Sequence, residues 1–597
     1  MNLNSNSIFT SFFDALRTKS NAEIILQYYK DSELKTMSKG EFLNKVICFN
    51  KALTDLGIAS KDRVGIISEN RIEFLIADLA TNSIGIINVP TFPSFTPEQQ
   101  KYIFNDCDAK IIIVSNKLQL NNILSVRNEL EHLKYIITMD DGLEDIPNNI
   151  YSMNKLIEQA EKNYNYENLK SQLITASQLV DIDDILTLIY TSGTTGNPKG
   201  VMLTNKNILT NVYSIWDTGI KNATDEFLSF LPMCHVFERT VIYTFLITGG
   251  VVTIAQSIES LSSNLNEVKP RIITVVPKLL ETVKSRILNA LNNETESKRD
   301  LVYRALELSN KYIDVEKIRL KDKLKLLVYD KLIFSKMRER LGGRLKHIVS
   351  GGSALNPEVQ KFFHSIGLKI MQGYGLTECS PVVSANTPSN LEIGTVGPPV
   401  SNVEVKIDKT GEILVRGDSV MKGYWHDDMA TKSCIDDNNW FHTGDIGEFT
   451  TTGSLKITGR IKCIIVTSGG KNISPAPIED MIRMSEYIDH IAIFGENKDY
   501  LTAIISPNFE ILKSIAIERK IAFESNYDLV KSKDINDLVM KDINEHQDSL
   551  AKYERVRKIR IVPNPFSIET GELTPKMSMK TNVILDKYKS EIEGMYN

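Results

Sequence analysis

The chain has no Cys-x-x-Cys pair and no metal-like cysteine spacing; Cys48, Cys107, Cys234, Cys379, Cys434 and Cys463 are scattered over 597 residues. That distribution argues against a disulfide framework or a zinc ribbon and fits buried thiols in a reducing compartment. An excess of positive charge is also missing. Lys and Arg number 70 against 75 Asp and Glu, a net charge of -5, so there is no electrostatic case for nucleic acid as a partner. No basic segment followed by an apolar core opens the chain, so no secretory signal is expected. The longest apolar candidate, Val241 to Ala255, is interrupted by Thr244, Thr248 and Gly249-Gly250 and falls short of the ~20 residues that a spanning helix needs. These absences predict a cytoplasmic protein; monomer or homodimer, and peripheral contact on the inner face of a membrane, are left open.

What is present suits a large soluble globular protein. With 42% apolar and 24% charged residues the composition is ordinary, and at ~150 residues per domain the length predicts several lobes. Short β-branched runs alternate with longer helical patterns: Val64 to Ile67, Ile84 to Val89, Ile111 to Val114, Ile272 to Val276 and His347 to Ser350. This rhythm predicts α/β architecture with mostly parallel sheets, whose ligands bind beyond the carboxyl ends of the strands. Between Val283 and Leu341 apolar residues recur at helical spacing in a charged background, which predicts two or three amphipathic helices. The turn signal Thr450 to Ser454 and the following Gly459-Arg460 suggest a boundary. The expected division is a large lobe over 1–459, a hinge over 460–462 and a small α/β lid over 463–597.

The most informative segment is Tyr190-Thr191-Ser192-Gly193-Thr194-Thr195-Gly196-Asn197-Pro198-Lys199-Gly200, directly after the apolar run Ile185 to Ile189. Glycines let backbone N–H groups approach an anion, hydroxyls add donors, and Lys199 supplies a mobile charge, a composition suited to a polyphosphate. Ordinary turns share that composition. A Walker A loop is excluded, because Pro198 stands where its second glycine is required and Gly200 follows Lys199 where Ser or Thr is required. The string instead resembles the phosphate loop of the adenylate-forming (ANL) superfamily, which contains acyl-CoA synthetases, luciferases and the adenylation domains of peptide synthetases.

Further segments match that superfamily in the expected order. The first is Leu231-Pro232-Met233-Cys234-His235-Val236-Phe237-Glu238-Arg239; by resemblance His235 sits beside the substrate carboxylate and Phe237 helps wall an acyl channel. Next come Ser350-Gly351-Gly352-Ser353-Ala354-Leu355 and Gln372-Gly373-Tyr374-Gly375-Leu376-Thr377-Glu378. A purine needs a flat slot edged with donors and acceptors, which glycine backbone and the Tyr374 face can form. Thr377 is expected to reach the α-phosphate, and Glu378, with Thr191, to bind Mg2+, a cation that takes few carboxylates plus phosphate oxygens. Asp445, in Trp440-Phe441-His442-Thr443-Gly444-Asp445, is the expected ribose ligand, with Arg460 a second contact and Lys462 at the hinge position. In Thr467-Ser468-Gly469-Gly470-Lys471, Gly470 is expected to leave room for the thiol of CoA.

One departure stands out. The superfamily's C-terminal lysine lies in a motif like Leu-Thr-Pro-Thr-Leu-Lys, whereas this chain reads Leu573-Thr574-Pro575-Lys576-Met577-Ser578-Met579-Lys580. Ser578 takes the catalytic position in a gapless match, with Lys576 the first choice of replacement and Lys580 the second. The resemblance implies an acetyl-CoA synthetase-like fold and a long-chain fatty acid–CoA ligase using ATP, Mg2+ and CoA. The rivals are a fatty-acyl-AMP ligase that loads a carrier protein, and a catalytically weak lipid- or nucleotide-binding protein.

Overall fold

Two eight-stranded sheets grow out of the β-branched runs. The computed structural model describes residues 5–191, 197–222, 225–257, 259–313, 318–574 and 579–596, without the Lys462 side chain. The first sheet runs in the order Val382–Ala385, Lys369–Gly375, His347–Ser350, Ile272–Val275, Glu226–Ser229, Val251–Ile254, Ile24–Lys30 and Glu33–Ser38. Its six inner strands pair in parallel and both edge strands are antiparallel. The second runs Gly423–Tyr424, Lys199–Thr204, Ile185–Thr191, Ile87–Thr91, Arg63–Ile67, Ala109–Val114, Tyr135–Thr138 and Ile150–Ser152, parallel except at the Gly423 end. Antiparallel pairing there follows from chain length, since the short connection between Thr191 and Lys199 permits a hairpin and no crossover.

The strand expected from Ile84 begins at Ile87 instead. Gly85, at φ +74°, donates to Asn82 and Ile86 donates to Thr81, so these residues close the helix Ile72–Asn82. Among the described residues the charged stretch forms three helical pieces, in line with the two or three expected: Pro277–Asn292, Glu296–Asn310 and Leu320–Tyr329, the last continued by a π-helical turn Asp330–Phe334 and by Ser335–Glu339. The apolar run Val241 to Ala255 divides into the end of the helix Val236–Ile247 and the strand Val251–Ile254. Among the described residues no helix is long and apolar enough to cross a membrane. Cys48, Cys107, Cys234 and Cys379 are buried as expected, but Cys434 is half-buried and Cys463 exposed.

The chain forms two compact units. The first comprises Met1–Lys406, Leu414–His442 and Thr451–Leu455 and holds both large sheets; the second comprises Ile407–Ile413, Thr443–Thr450 and Lys456–Asn597. In the second unit the strands Ile488–Phe494, Leu501–Pro507 and Val556–Ile561 form one sheet, covered by helices Pro475–Ile482 and Lys533–His546 through Ile478, Ile482, Ile535, Val539 and Ile543.

Within the first unit the helix Val236–Ile247 is buried on nearly every side, so its apolar residues are not confined to one stripe. Two charged residues near its start bond to strands of both sheets. Glu238 accepts hydroxyl hydrogen bonds from Ser229 and Thr274, each 2.5 Å, on strands of the first sheet. Arg239 donates to Thr187 Oγ1 (3.0 Å) and Asn88 Oδ1 (2.8 Å) on strands of the second, and to Asp78 on the helix Ile72–Asn82.

Candidate functional site

The strands Glu226–Ser229, Ile272–Val275, His347–Ser350 and Lys369–Gly375 are parallel neighbours, with Val275 opposite Ser350 and Ser350 opposite Gln372. Their following loops therefore gather at one edge of the sheet, where an open α/β sheet takes its ligand. Gly352, Ser353 and Ala354 are exposed in the loop after Ser350. Ser350 Oγ and Gln372 Oε1 are buried and have no hydrogen-bond partner among the described residues. Buried polar atoms are rarely left in that state, so the pair marks a place where an added polar group would be favourable. Tyr374 is half-buried on the same strand. Gly373 pairs with Ala385, and a Cβ at Gly375 would lie 1.9 Å from the Pro381 carbonyl oxygen, so the strand Val382–Ala385 is approached as only glycine allows.

Thr377 and Glu378 lie in the 3-10 turn after that strand, which packs against the strand Lys199–Thr204 of the other large sheet. Tyr424 completes the connection. Its hydroxyl donates to Glu378 Oε1 at 3.0 Å, while its backbone pairs with Val201. Burial first, then the Glu378 charge, hold the Tyr424 hydroxyl protonated far above the usual range, so it remains a donor. Thr191 pairs with Lys199 at the base of the hairpin. Lys199 Nζ lies 3.3 Å from Asp427 and 5.2 Å from the centre of the Tyr424 ring, with its side chain 43% exposed. The hairpin connection bearing Ser192, Gly193, Thr194, Thr195 and Gly196 lies outside the described residues. Among those described, no group of three or more His, Cys, Asp or Glu is placed to hold a metal ion unaided. The Glu378 carboxylate, near the strand that starts at Lys199, is a sparse donor set that fits Mg2+ taking its other ligands from phosphate and water.

His235 is the N-cap of the helix Val236–Ile247, and its Nδ1 accepts the Phe237 N–H at 3.1 Å. A ring nitrogen that accepts is unprotonated, so the neutral imidazole carries its proton on Nε2. The ring of Phe237 lies over Gly351, where a Cβ would come within 3.2 Å of it. The loop leading to His235 is fixed by Asn70, whose amide donates to the Leu231 carbonyl (2.7 Å) and whose Oδ1 accepts from Met233 N–H (2.9 Å). Neither Asn70 nor Tyr424 stands in a segment that sequence reasoning marked. Both are distant in the chain from the residues they position, and no local pattern identifies them.

Asp445, Arg460 and Gly470 belong to the second unit. Asp445 is buried and Arg460 Nε lies 2.7 Å from its Oδ1, so the two residues expected at one ribose form an ion pair with each other. Gly444 precedes Asp445 at φ +71° and donates to Glu412 at 2.9 Å. Lys462 lies in the 3-10 turn Ile461–Cys463. Gly470, at φ +70°, sits between the paired strands Ile465–Val466 and Asn472–Ile473. Lys576 and Ser578 lie outside the described residues. Lys580 is the N-cap of the helix Thr581–Lys587, and its N–H donates to the Glu572 carbonyl at 2.7 Å.

Comparison with known proteins gives consistent matches. The profile for AMP-binding enzymes matches residues 12–425, and that for the AMP-binding enzyme C-terminal domain matches 462–597. The long-chain-fatty-acid–CoA ligase FadD15 of Mycobacterium bovis is 30% identical over 581 residues, covering 96% of this chain and 94% of that one. The chloroplastic long-chain-fatty-acid–acyl-carrier-protein ligase AEE15 of Arabidopsis thaliana is 29% identical over 629 residues, covering 95% and 84%. Among solved structures, the anthranilate CoA ligase AuaEII in complex with anthranoyl-AMP superposes with a TM-score of 0.74 at 19% identity, covering 100% of this chain and 99% of that one.

Proposed function

The chain belongs to the AMP-binding enzyme family, and on that premise we propose that it is a long-chain fatty acid–CoA ligase working in the cytoplasm. The observation that carries the reading is the meeting, inside the first unit, of the Thr377-Glu378 turn with the base of the Thr191–Lys199 hairpin, held by Tyr424. Relatives named as long-chain-fatty-acid–CoA ligases over nearly the whole chain supply the substrate class.

A carboxylate is a poor electrophile because its charge is delocalised and its leaving group is oxide-like. In the first step the fatty acid carboxylate attacks the α-phosphorus of ATP; the acyl–oxygen–phosphorus linkage forms as the bond to pyrophosphate breaks. His235 presents its Nε2 proton to the carboxylate, and Phe237 over Gly351 walls the acyl chain. Gly352, Ser353, Ala354, Gln372, Gly373, Tyr374 and Gly375 border the purine, while Asp445 with Arg460 receives the ribose. Ser192 to Gly196, Lys199, Thr377 and Lys576 offset charge developing on the phosphates. Glu378 and Thr191 would hold Mg2+, which when bound neutralises phosphate charge. In the second step the CoA thiolate attacks the acyl carbon and AMP leaves. Gly470 leaves space for the thiol, and backbone rotation at Lys462 changes which face of the lid over 463–597 serves each step.

A carrier-protein acceptor is the second reading, favoured by the similarity to the acyl-carrier-protein ligase. Palmitate-dependent pyrophosphate release with Mg-ATP, measured with CoA, with carrier protein and with neither, tests both. Palmitoyl-CoA formation lost in Lys576→Ala or Lys580→Ala is the expected result and identifies the working lysine. Transfer to the carrier alone supports the second reading, and no pyrophosphate release with any of several fatty acids overturns the proposal.

A further inference from the structure

The helix Leu320–Tyr329 and the π-helical turn Asp330–Phe334 carry apolar residues on two opposite faces. The inner face is occupied: Ile333 and Phe334 are buried in the core of the first unit, and Tyr329 packs against it. Polar contacts fix this orientation. Asp322 accepts the Tyr312 hydroxyl at 2.5 Å, and Asp330 receives both Arg338 amino groups at 2.7 and 3.0 Å. The outer face is open. Leu320 is 75% exposed, Leu324 58%, Leu327 61%, Val328 54% and Leu332 53%. The spacing i, i+4, i+7, i+8, i+12 makes one continuous stripe. Scattered single apolar residues need no explanation, but a contiguous stripe of five on one helix marks a surface that meets another phase or partner.

The charges around the stripe select that partner. Lys321, Lys323, Lys325 and Lys331 are exposed among the leucines. With Arg319, residues 319–331 hold five basic side chains against Asp322 and Asp330, whereas the whole chain carries -5. The stripe is therefore a positive island on a negative protein, and both of its acids are already engaged. Self-association through this face would bring lysine rows of two copies together, a like-charge arrangement that opposes it. An exposed apolar stripe flanked by lysines matches the interface of an anionic bilayer, where leucines enter the headgroup and acyl boundary and ammonium groups meet lipid phosphates.

We propose that the outer face of Leu320–Leu332 docks the protein on anionic lipid bilayers. The docking rests on this face alone; its use, drawing a membrane-partitioned acid toward the site, rests on the fatty acid reading above. Co-sedimentation with vesicles of phosphatidylglycerol and phosphatidylcholine, against pure phosphatidylcholine, reads binding without turnover. The expected result is binding to the anionic vesicles that weakens at least tenfold in Leu324→Gln/Leu327→Gln and in Lys321→Glu/Lys323→Glu/Lys325→Glu. Both variants should retain wild-type acyl-CoA formation from water-dissolved octanoate and lose it from vesicle-loaded palmitate. Wild-type protein that ignores anionic vesicles, variants that bind as wild type does, or a concentration-dependent dimer that Leu324→Gln/Leu327→Gln dissociates without any vesicle binding would each overturn the proposal. Loss of ligase activity with vesicle binding intact would count against the functional reading and leave docking standing.

Discussion

Arg239 sets its guanidinium against the carboxylate of Asp78, 161 residues earlier, with Nε 3.1 Å from Oδ2. Neither side chain is more than 3% exposed. The carboxylate also accepts from the Tyr243 hydroxyl (2.6 Å), Asn82 (3.0 Å) and Asn88 (2.7 Å), so the pair is buried with its hydrogen bonds made. That is the condition under which an ion pair survives removal from water. Its consequence for function is indirect. The helix it holds begins at His235 and Phe237, so the arginine fixes where those two side chains stand.

Breaking the pair should be costly. Arg239→Met leaves Asp78 charged and buried, and about 3–5 kcal/mol of stability should be lost. Asp78→Asn should cost a similar amount. The double variant should lose less than the sum, because the second change removes the charge that the first left unpaired. Urea-unfolding midpoints of the four proteins check this; simple additivity would show that the two residues do not act as a pair.

Glu238 gives a pH dependence with a defined sign. Burial pushes its carboxyl from 4.5 up to about 7, against the lowering hydrogen bonds from Ser229 and Thr274. Between those two values the unfolded chain releases the proton that the folded chain keeps, so this residue's contribution to stability falls as pH rises. A shift of that size corresponds to about 3 kcal/mol. Relative to Glu238→Gln, the wild type should therefore lose thermal stability from pH 4.5 to 7.5, and calorimetry of both proteins across that range reads the difference.

Tyr424→Phe removes the hydroxyl that donates to Glu378 and leaves the ring over Lys199. A hydrogen bond to a charged group contributes ~1.5–3 kcal/mol. The melting temperature should fall by a few degrees and the KM for Mg-ATP should rise about tenfold or more, while Glu378→Gln should lower turnover further at saturating Mg-ATP. Titrations of initial rate against Mg2+ at fixed ATP separate the two; an unaltered Mg2+ dependence in both would remove Glu378 from the proposed cation site.

At Gly375 the constraint is steric. The Cβ of Gly375→Ala would stand 1.9 Å from the Pro381 carbonyl oxygen, a contact that only backbone displacement relieves. Overpacking of this kind costs about 1–3 kcal/mol or more. Gly352→Ala, whose Cβ would meet only Val276 at 3.9 Å but whose φ is +87°, should cost about 1 kcal/mol. Melting temperatures of the two variants test the order.

The sequence by itself determined the parts that depend on local spacing. Alternating apolar runs placed the strands to within a few residues, and the order of the Ser/Thr/Gly, His235, Gly352, Tyr374 and Asp445 segments carried the family, because each loop keeps its characteristic residues together in a short stretch of chain. Tertiary structure alone decided how those segments are held. Asn70 fixes the loop before His235, Tyr424 reaches Glu378 across 46 residues, and Arg239 finds Asp78 across 161. None of these pairings has a period or a motif, since they arise only when separate strands and helices pack. The exposed stripe of Leu320–Leu332 was equally undecided by its pattern. Leucines at helical spacing read as core in one dimension, and only packing settled that Ile333 and Phe334 face inward while Leu324 and Leu327 face water.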